Sequence, residues 1–139
     1  MRAVSETLEI RTRGRGMYAF TREVADWLGT VRAGGGLLTA FIQHTSASLL
    51  IQENADPDVQ ADLERFFALL VEDGDPLFAH DAEGPDDMPS HVRAALTQTS
   101  LSVPVIDGKL ALGTWQGLYV YEHRTAAHLR RVVLSYLGT

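Results

Sequence analysis

The sequence predicts an α+β fold, with a β-sandwich-like core and two or three flanking helices. Three observations carry that prediction. Apolar and polar residues alternate near the start of the chain, and several short apolar runs follow one another near its end. A mostly apolar run lies between them. Helix-period segments, opened by cap or proline signals, interrupt the strands. The chain has 139 residues, 22% charged and 45% hydrophobic, the length and composition of one folded domain spanning residues 1–139.

The elements follow in order. Val4, Leu8 and Ile10 alternate with Ser5, Glu9 and Arg11, a strand period. Arg13-Gly14-Arg15-Gly16 reads as a turn. Thr21 is placed to cap a short helix carrying Val24, Trp27, Leu28 and Val31, which Gly34-Gly35-Gly36 ends. Leu37–Gln43 reads as a buried central strand, and Ala47–Gln52 resumes the run after His44-Thr45-Ser46. Asp56 followed by Pro57 is a strong helix start, with Val59, Leu63, Phe66, Phe67 and Leu70 expected on one face. Asp73-Gly74-Asp75-Pro76 stops that helix, and residues 72–90 form a long polar loop. A second short helix is expected over Pro89–Leu96. Strands are expected over Leu101–Ile106, Lys109–Leu112, Gly117–Glu122 and Arg131–Tyr136, with Asp107-Gly108 as a two-residue hairpin turn.

Composition excludes several functions. No cysteine is present, so disulfides, thiolate metal sites and a cysteine nucleophile are ruled out. The formal net charge is −6, but it is unevenly spread. Glu53 to Asp87 holds twelve acidic residues and one basic residue, Arg65. That block opposes a nucleic-acid partner. Arg2, Glu6 and Glu9 break any apolar core of a signal peptide, and no run reaches the ~20 apolar residues of a membrane span. The expectation is a cytoplasmic protein with no membrane partner.

Several groups carry possible chemistry. Among the five histidines, His44, His80 and His91 flank the acidic middle of the chain; three imidazoles plus water describe an open metal site. Their spacing is wide, and no pair of ligands at HExxH-type spacing is expected on one helical face. Ser46 and Ser48 beside His44 suit phosphate binding better than nucleophilic attack. Glu53 follows a buried strand without an evident structural role, which makes it a candidate acid or base. Trp115 and Gln116, bracketed by Gly113 and Gly117, suit a planar ring and its edge. Arg124 and Arg131 are candidate phosphate clamps.

Read together, HTSAS at His44–Ser48, ENADPDV at Glu53–Val59, HDAEGPDDMPSH at His80–His91, LGTWQG at Leu112–Gly117 and EHR with RR at Glu122–Arg131 resemble the YjbQ-type family, often called secondary thiamine-phosphate synthases. Phe78 stands where the family pattern has a tyrosine. The resemblance implies a trimeric β-sandwich with pockets near subunit boundaries and no organic cofactor. It implies a divalent ion, zinc or magnesium, at His44, His80 and His91. His44, Glu53 and His91 would be catalytic, with Ser46, Ser48, Asp86, Trp115, Gln116, Arg124 and Arg131 binding substrate. The implied reaction joins a pyrimidine diphosphate to a thiazole phosphate and releases pyrophosphate. Two other readings stay open: a metal-dependent hydrolase with Glu53 as base, and a non-catalytic binder of a small phosphorylated heterocycle.

Overall fold

A computed structural model describes residues 1–139. Two antiparallel sheets share one core. The first has five strands in the order β1 (Arg2–Arg11), β8 (Leu129–Gly138), β3 (Gly36–Ile42), β5 (Ser100–Ile106) and β6 (Lys109–Leu110). The second has three, with β7 (Gln116–Glu122) between β2 (Gly16–Ala19) and β4 (Ala47–Glu53). Alternation along each strand turns one set of side chains inward. Leu38, Ala40, Ile42, Leu101, Val103, Val105, Val132, Leu134 and Tyr136 from the first sheet meet Ala47, Leu49, Leu118 and Val120 from the second. The α+β class and a two-sheet core are thus present.

Helix α1 (Thr21–Thr30) closes one side of this core through Val24, Trp27 and Leu28, as its periodicity requires. Thr21 does not cap it. Its hydroxyl accepts the Leu118 N–H at 2.8 Å and ties the helix to β7. The turn at Asp107-Gly108 joins β5 to β6, and both residues have positive φ (51° and 78°), as a type I′ hairpin needs. Strand β2 goes beyond the sequence expectation: only four residues long, it follows directly on the predicted turn.

Helices α2 (Pro57–Leu70) and α3 (Asp87–Leu96) belong to the other face of the small sheet. Asp56 caps α2 as expected, its side chain accepting the Asp58 N–H at 2.9 Å. The predicted apolar face is not buried: Phe66 is 58% exposed and Leu70 54%. What holds α2 is instead Phe67 edge-on to Tyr121, with Glu64 bridging the Tyr121 hydroxyl and buried Arg93. Helix α3 begins at Asp87, two residues before the predicted start, and this changes the reading of the site. No helix is long and apolar enough to cross a membrane.

Candidate functional site

Chain segments from five places meet at one end of the sandwich: the β3–β4 turn, the loop before α3, α3 itself, the β7–β8 connection and the turn after β1. Close packing brings the last two together. Gly14 has φ 124°, and a Cβ there would lie 2.9 Å from the Thr125 carbonyl oxygen, so only glycine fits.

Asp87 opens α3 and His91 lies one turn later, so both project from one helical face. His80 reaches the same point from the preceding loop. His80 Nε2 lies 2.6 Å and His91 Nε2 3.1 Å from the same oxygen, Asp87 Oδ2. The ligand atoms of these three residues all fall within 4.8 Å of one another.

The surroundings prepare these atoms for a cation. His91 Nδ1 is 2.9 Å from the Thr45 carbonyl oxygen, which can only accept, so Nδ1 carries the proton. In the neutral ring the lone pair is then on Nε2, facing the group. Arg124 occupies the other oxygen of Asp87 at 2.8 Å and leaves Oδ2 turned to the two imidazoles. Burial alone would raise the Asp87 pKa, but the hydrogen bond to His80 and the nearby Arg124 charge hold it below the usual carboxylate range. Asp86 is likewise lowered, to about 2: burial works against it, and the Arg124 and Thr125 hydrogen bonds outweigh burial. Asp87 is therefore a carboxylate at neutral pH, and together with His80 and His91 it fits a divalent ion. Two nitrogen donors favour zinc over magnesium, which prefers oxygen.

Two clefts flank the group. One, about 290 Å³, is lined by His80 with Phe78, Pro76, Pro85 and Met88 among its walls. The other, about 250 Å³, is lined by His91, His44, Thr45, Ala94, Ala95 and Thr99.

The family described as UPF0047 protein YjbQ-like matches residues 6–139. The chain belongs to the YjbQ family. It is 47% identical to a UPF0047 protein of Synechocystis over 133 residues, covering 96% of this chain and 90% of the relative. It is 42% identical to the UPF0047 protein YjbQ of Escherichia coli O157:H7 over 134 residues, 96% of each chain. The crystal structure of a conserved hypothetical protein from Thermus thermophilus superposes with a TM-score of 0.86 at 32% identity, covering 95% of this chain and 99% of that one.

In this YjbQ-family chain the expected site residues separate into two sets. His80, His91, Asp86 and Arg124 lie together. His44 shares a cleft with His91 but stands outside the three-residue group. Its Nε2 accepts the Arg131 N–H at 2.8 Å, and its Nδ1 faces Arg130 at 3.4 Å. Burial and the Arg130 charge push its pKa down, so the ring is neutral and its one lone pair is already engaged. Asp87 takes the place expected for His44. A signal for it exists: an earlier helix start puts Asp87 and His91 at i, i+4, a same-face pair that the predicted start at Pro89 hides.

Arg124 spends three of its five side-chain N–H donors within the chain. It donates to Asp86, Asp87 and the Glu83 carbonyl, so within the chain it positions carboxylates. Arg131 reaches His44 through its backbone amide. Ser48 is fully buried between His123 Nε2 (2.8 Å) and Thr97 Oγ1 (2.6 Å), closed to any substrate. Ser46 Oγ accepts from buried Arg130 at 3.0 Å.

Glu53, Trp115 and Gln116 lie at the opposite end. The register pairs Ala47 with Glu122 but Glu53 with Gln116, so roughly 20 Å of strand separates them from the histidines. Glu53 has a structural role after all: its Oε2 accepts the Ala55 and Asp56 N–H groups at 3.2 and 2.7 Å. Gln116 Oε1 accepts the Gly113 N–H at 2.8 Å, and Trp115 is 62% exposed.

Proposed function

We propose that this chain uses His80, Asp87 and His91 to hold a zinc-class divalent ion, and that the site acts on a small phosphorylated heterocycle. The observation that carries the reading is the convergence of two imidazole Nε2 atoms on one carboxylate oxygen, with the His91 proton fixed on Nδ1 by the Thr45 carbonyl. The specific activity proposed is the one the family resemblance implies. The thiazole nitrogen attacks the pyrimidine methylene carbon, a C–N bond forms, the C–O bond breaks, and diphosphate leaves with the electron pair. No protein nucleophile is needed, in keeping with a buried Ser48. A bound divalent ion supplies charge neutralisation to a departing diphosphate. The chain itself holds and orients: Arg124 fixes Asp87, Thr45 fixes His91, and the flanking clefts seat the rings.

Assembly belongs to the same proposal. Leu37 and Leu137 face each other across β3 and β8, and with Phe41 they leave an apolar band on the outer face of the large sheet. Trimer formation would cover such a band, and a neighbouring copy is the route by which Trp115 or Gln116 reaches the histidine end. Light scattering should then give three times the 15.3 kDa chain mass; a monomer refutes this part.

The decisive experiment measures metal content of parent and Asp87→Asn, then synthesis of thiamine phosphate from the two phosphorylated halves. Metal near one ion per chain in the parent, lost in the variant together with product formation, supports the reading. A parent that takes up no zinc-class ion, or a variant that makes product at the parent's rate, overturns it. A hydrolase is the second reading, because two imidazoles and a carboxylate also serve hydrolytic zinc sites. Within one chain Glu53 lies at the end away from the histidines, so as base it would have to come from a neighbouring copy. Orthophosphate release with no joined product would mark it.

A further inference from the structure

A third cleft, about 660 Å³, is lined by Arg11, Thr12, Arg13, Ala127, His128 and Leu129. Strands β1 and β8 build it. Arg11 pairs with Leu129, and the Thr12 N–H donates to the His128 carbonyl at 2.9 Å. Thr12 is buried, with its hydroxyl given to Glu122 at 2.6 Å, so the extended backbone puts Arg11 and Arg13 on the other side. Both arginines are exposed, and neither guanidinium makes an ion pair within the chain. Arg15, Arg65, Arg93, Arg124 and Arg130 are all paired with carboxylates. Arg2, Arg22, Arg32 and Arg131 also lack ion pairs, but only Arg11 and Arg13 line one cleft together.

The remaining groups do not cancel this charge. Glu9, two residues before Arg11 on β1, makes no ion pair with it, and Glu122 lies 3.8 Å from His128 Nδ1. Glu122 is fully buried and already accepts from Arg130 and Thr12. His128 Nδ1 donates to the Ala126 carbonyl at 2.9 Å, which holds the ring in place at the cleft wall. Planar guanidinium forks match phosphate oxygens two at a time.

We propose that this cleft binds the phosphate or diphosphate end of a small ligand whose reacting end lies at His80, Asp87 and His91. The inference rests on the function proposed above and gives it a substrate-holding subsite. The two places are physically joined. Glu122 accepts the Arg124 N–H at 3.1 Å, and Arg124 in turn holds Asp87. Residues 124 to 128 run from one place to the other, a reach of at most roughly 14 Å, the span of a heterocycle carrying a diphosphate. Two arginines suit one phosphoryl end. A nucleic-acid backbone asks for a longer basic stripe, and the acidic Glu53–Asp87 block opposes it.

Calorimetric titration of chelator-treated protein with inorganic pyrophosphate tests this. The parent binds; Arg11→Gln/Arg13→Gln weakens binding tenfold or more; Asp87→Asn leaves it within twofold. Both arginine side chains lack partners in the chain, so the variant should match the parent in urea unfolding, and single Arg13→Gln serves as a second, milder variant with an intermediate loss. No binding by the parent overturns the proposal, as does a loss under tenfold in the double variant. Binding lost only in Asp87→Asn also overturns it, because pyrophosphate then sits at the metal group. Because this titration is metal-free, failure of metal uptake refutes the proposed function without touching the anion result, and the reverse also holds.

Discussion

His123 should make the fold sensitive to acid. Its ring is fully buried against Tyr121, 4.4 Å between centroids, with Nε2 on the Ser48 hydroxyl and Nδ1 without a partner. Burial first, then the charges of Arg93, Arg15 and Arg130, lower its pKa from 6.5 to about 3. A histidine lowered in the folded state is neutral there while the unfolded chain takes up a proton. Stability is therefore complete above pH 6.5 and falls as pH drops from 6.5 toward 3. At pH 5 the unfolded chain carries a proton on this ring that the folded chain lacks, which costs about 2 kcal/mol relative to pH 7. Urea unfolding of parent and His123→Gln at both pH values isolates the effect, because every other titratable group is common to the two proteins. The stability gap between them should narrow by about 2 kcal/mol at pH 5. Parallel pH profiles would mean that His123 is hydrated or charged in the folded protein, and the buried account fails.

Other perturbations separate structural from functional roles. Arg124→Ala leaves Asp86 and Asp87 without their cation in a mostly buried place, and should cost about 3 kcal/mol in urea unfolding; a loss under 1 kcal/mol (about the value of an exposed pair) counts against the pairing. Asp56→Ala removes the α2 cap and should cost about 1 kcal/mol, read from the same unfolding curves. Glu53→Gln keeps an acceptor for the Ala55 and Asp56 amides, so metal content should match the parent. Loss of metal in that variant would bring Glu53 into the centre, against its placement.

Strands and most boundaries are legible in the sequence because period-two alternation and turn residues act locally. Asp107-Gly108 needs only its own backbone to specify a hairpin. Helix α2 shows the limit. Its apolar stripe is present, yet Phe66 and Leu70 face outward while Glu64, a polar residue, makes the anchoring contacts with Arg93 and Tyr121. Those partners lie 29 and 57 residues away, beyond any local pattern. The site is half legible for the same reason. His80 and His91 stand out by residue type and proximity to the acidic block. Asp87 is hidden among twelve acidic residues, and only the true helix start singles it out. Glu53 and Trp115 belong to the far end, and nothing in the sequence states that β4 and β7 carry them there.

The choice of residues at the histidine end has a common physical cause. An apolar core would stop at Ala47, Val120 and Val132; beyond it the interior is filled by Glu122 and Arg130, both almost wholly buried. Such pairs roughly break even in stability against apolar residues of similar volume, so stability alone does not account for one here. What Glu122 provides is direction. One carboxylate accepts from Thr12 after β1, from the Arg124 amide in the β7–β8 connection and from Arg130 on β8. Arg124, held by its backbone, then sets Asp86 and Asp87, and Asp87 stands where His80 and His91 converge. A greasy plug would close the sandwich equally well but would leave the loop before α3 without a fixed position. The buried charge thus converts the rigidity of two sheets into placement of three ligand atoms, none of which lies on a strand.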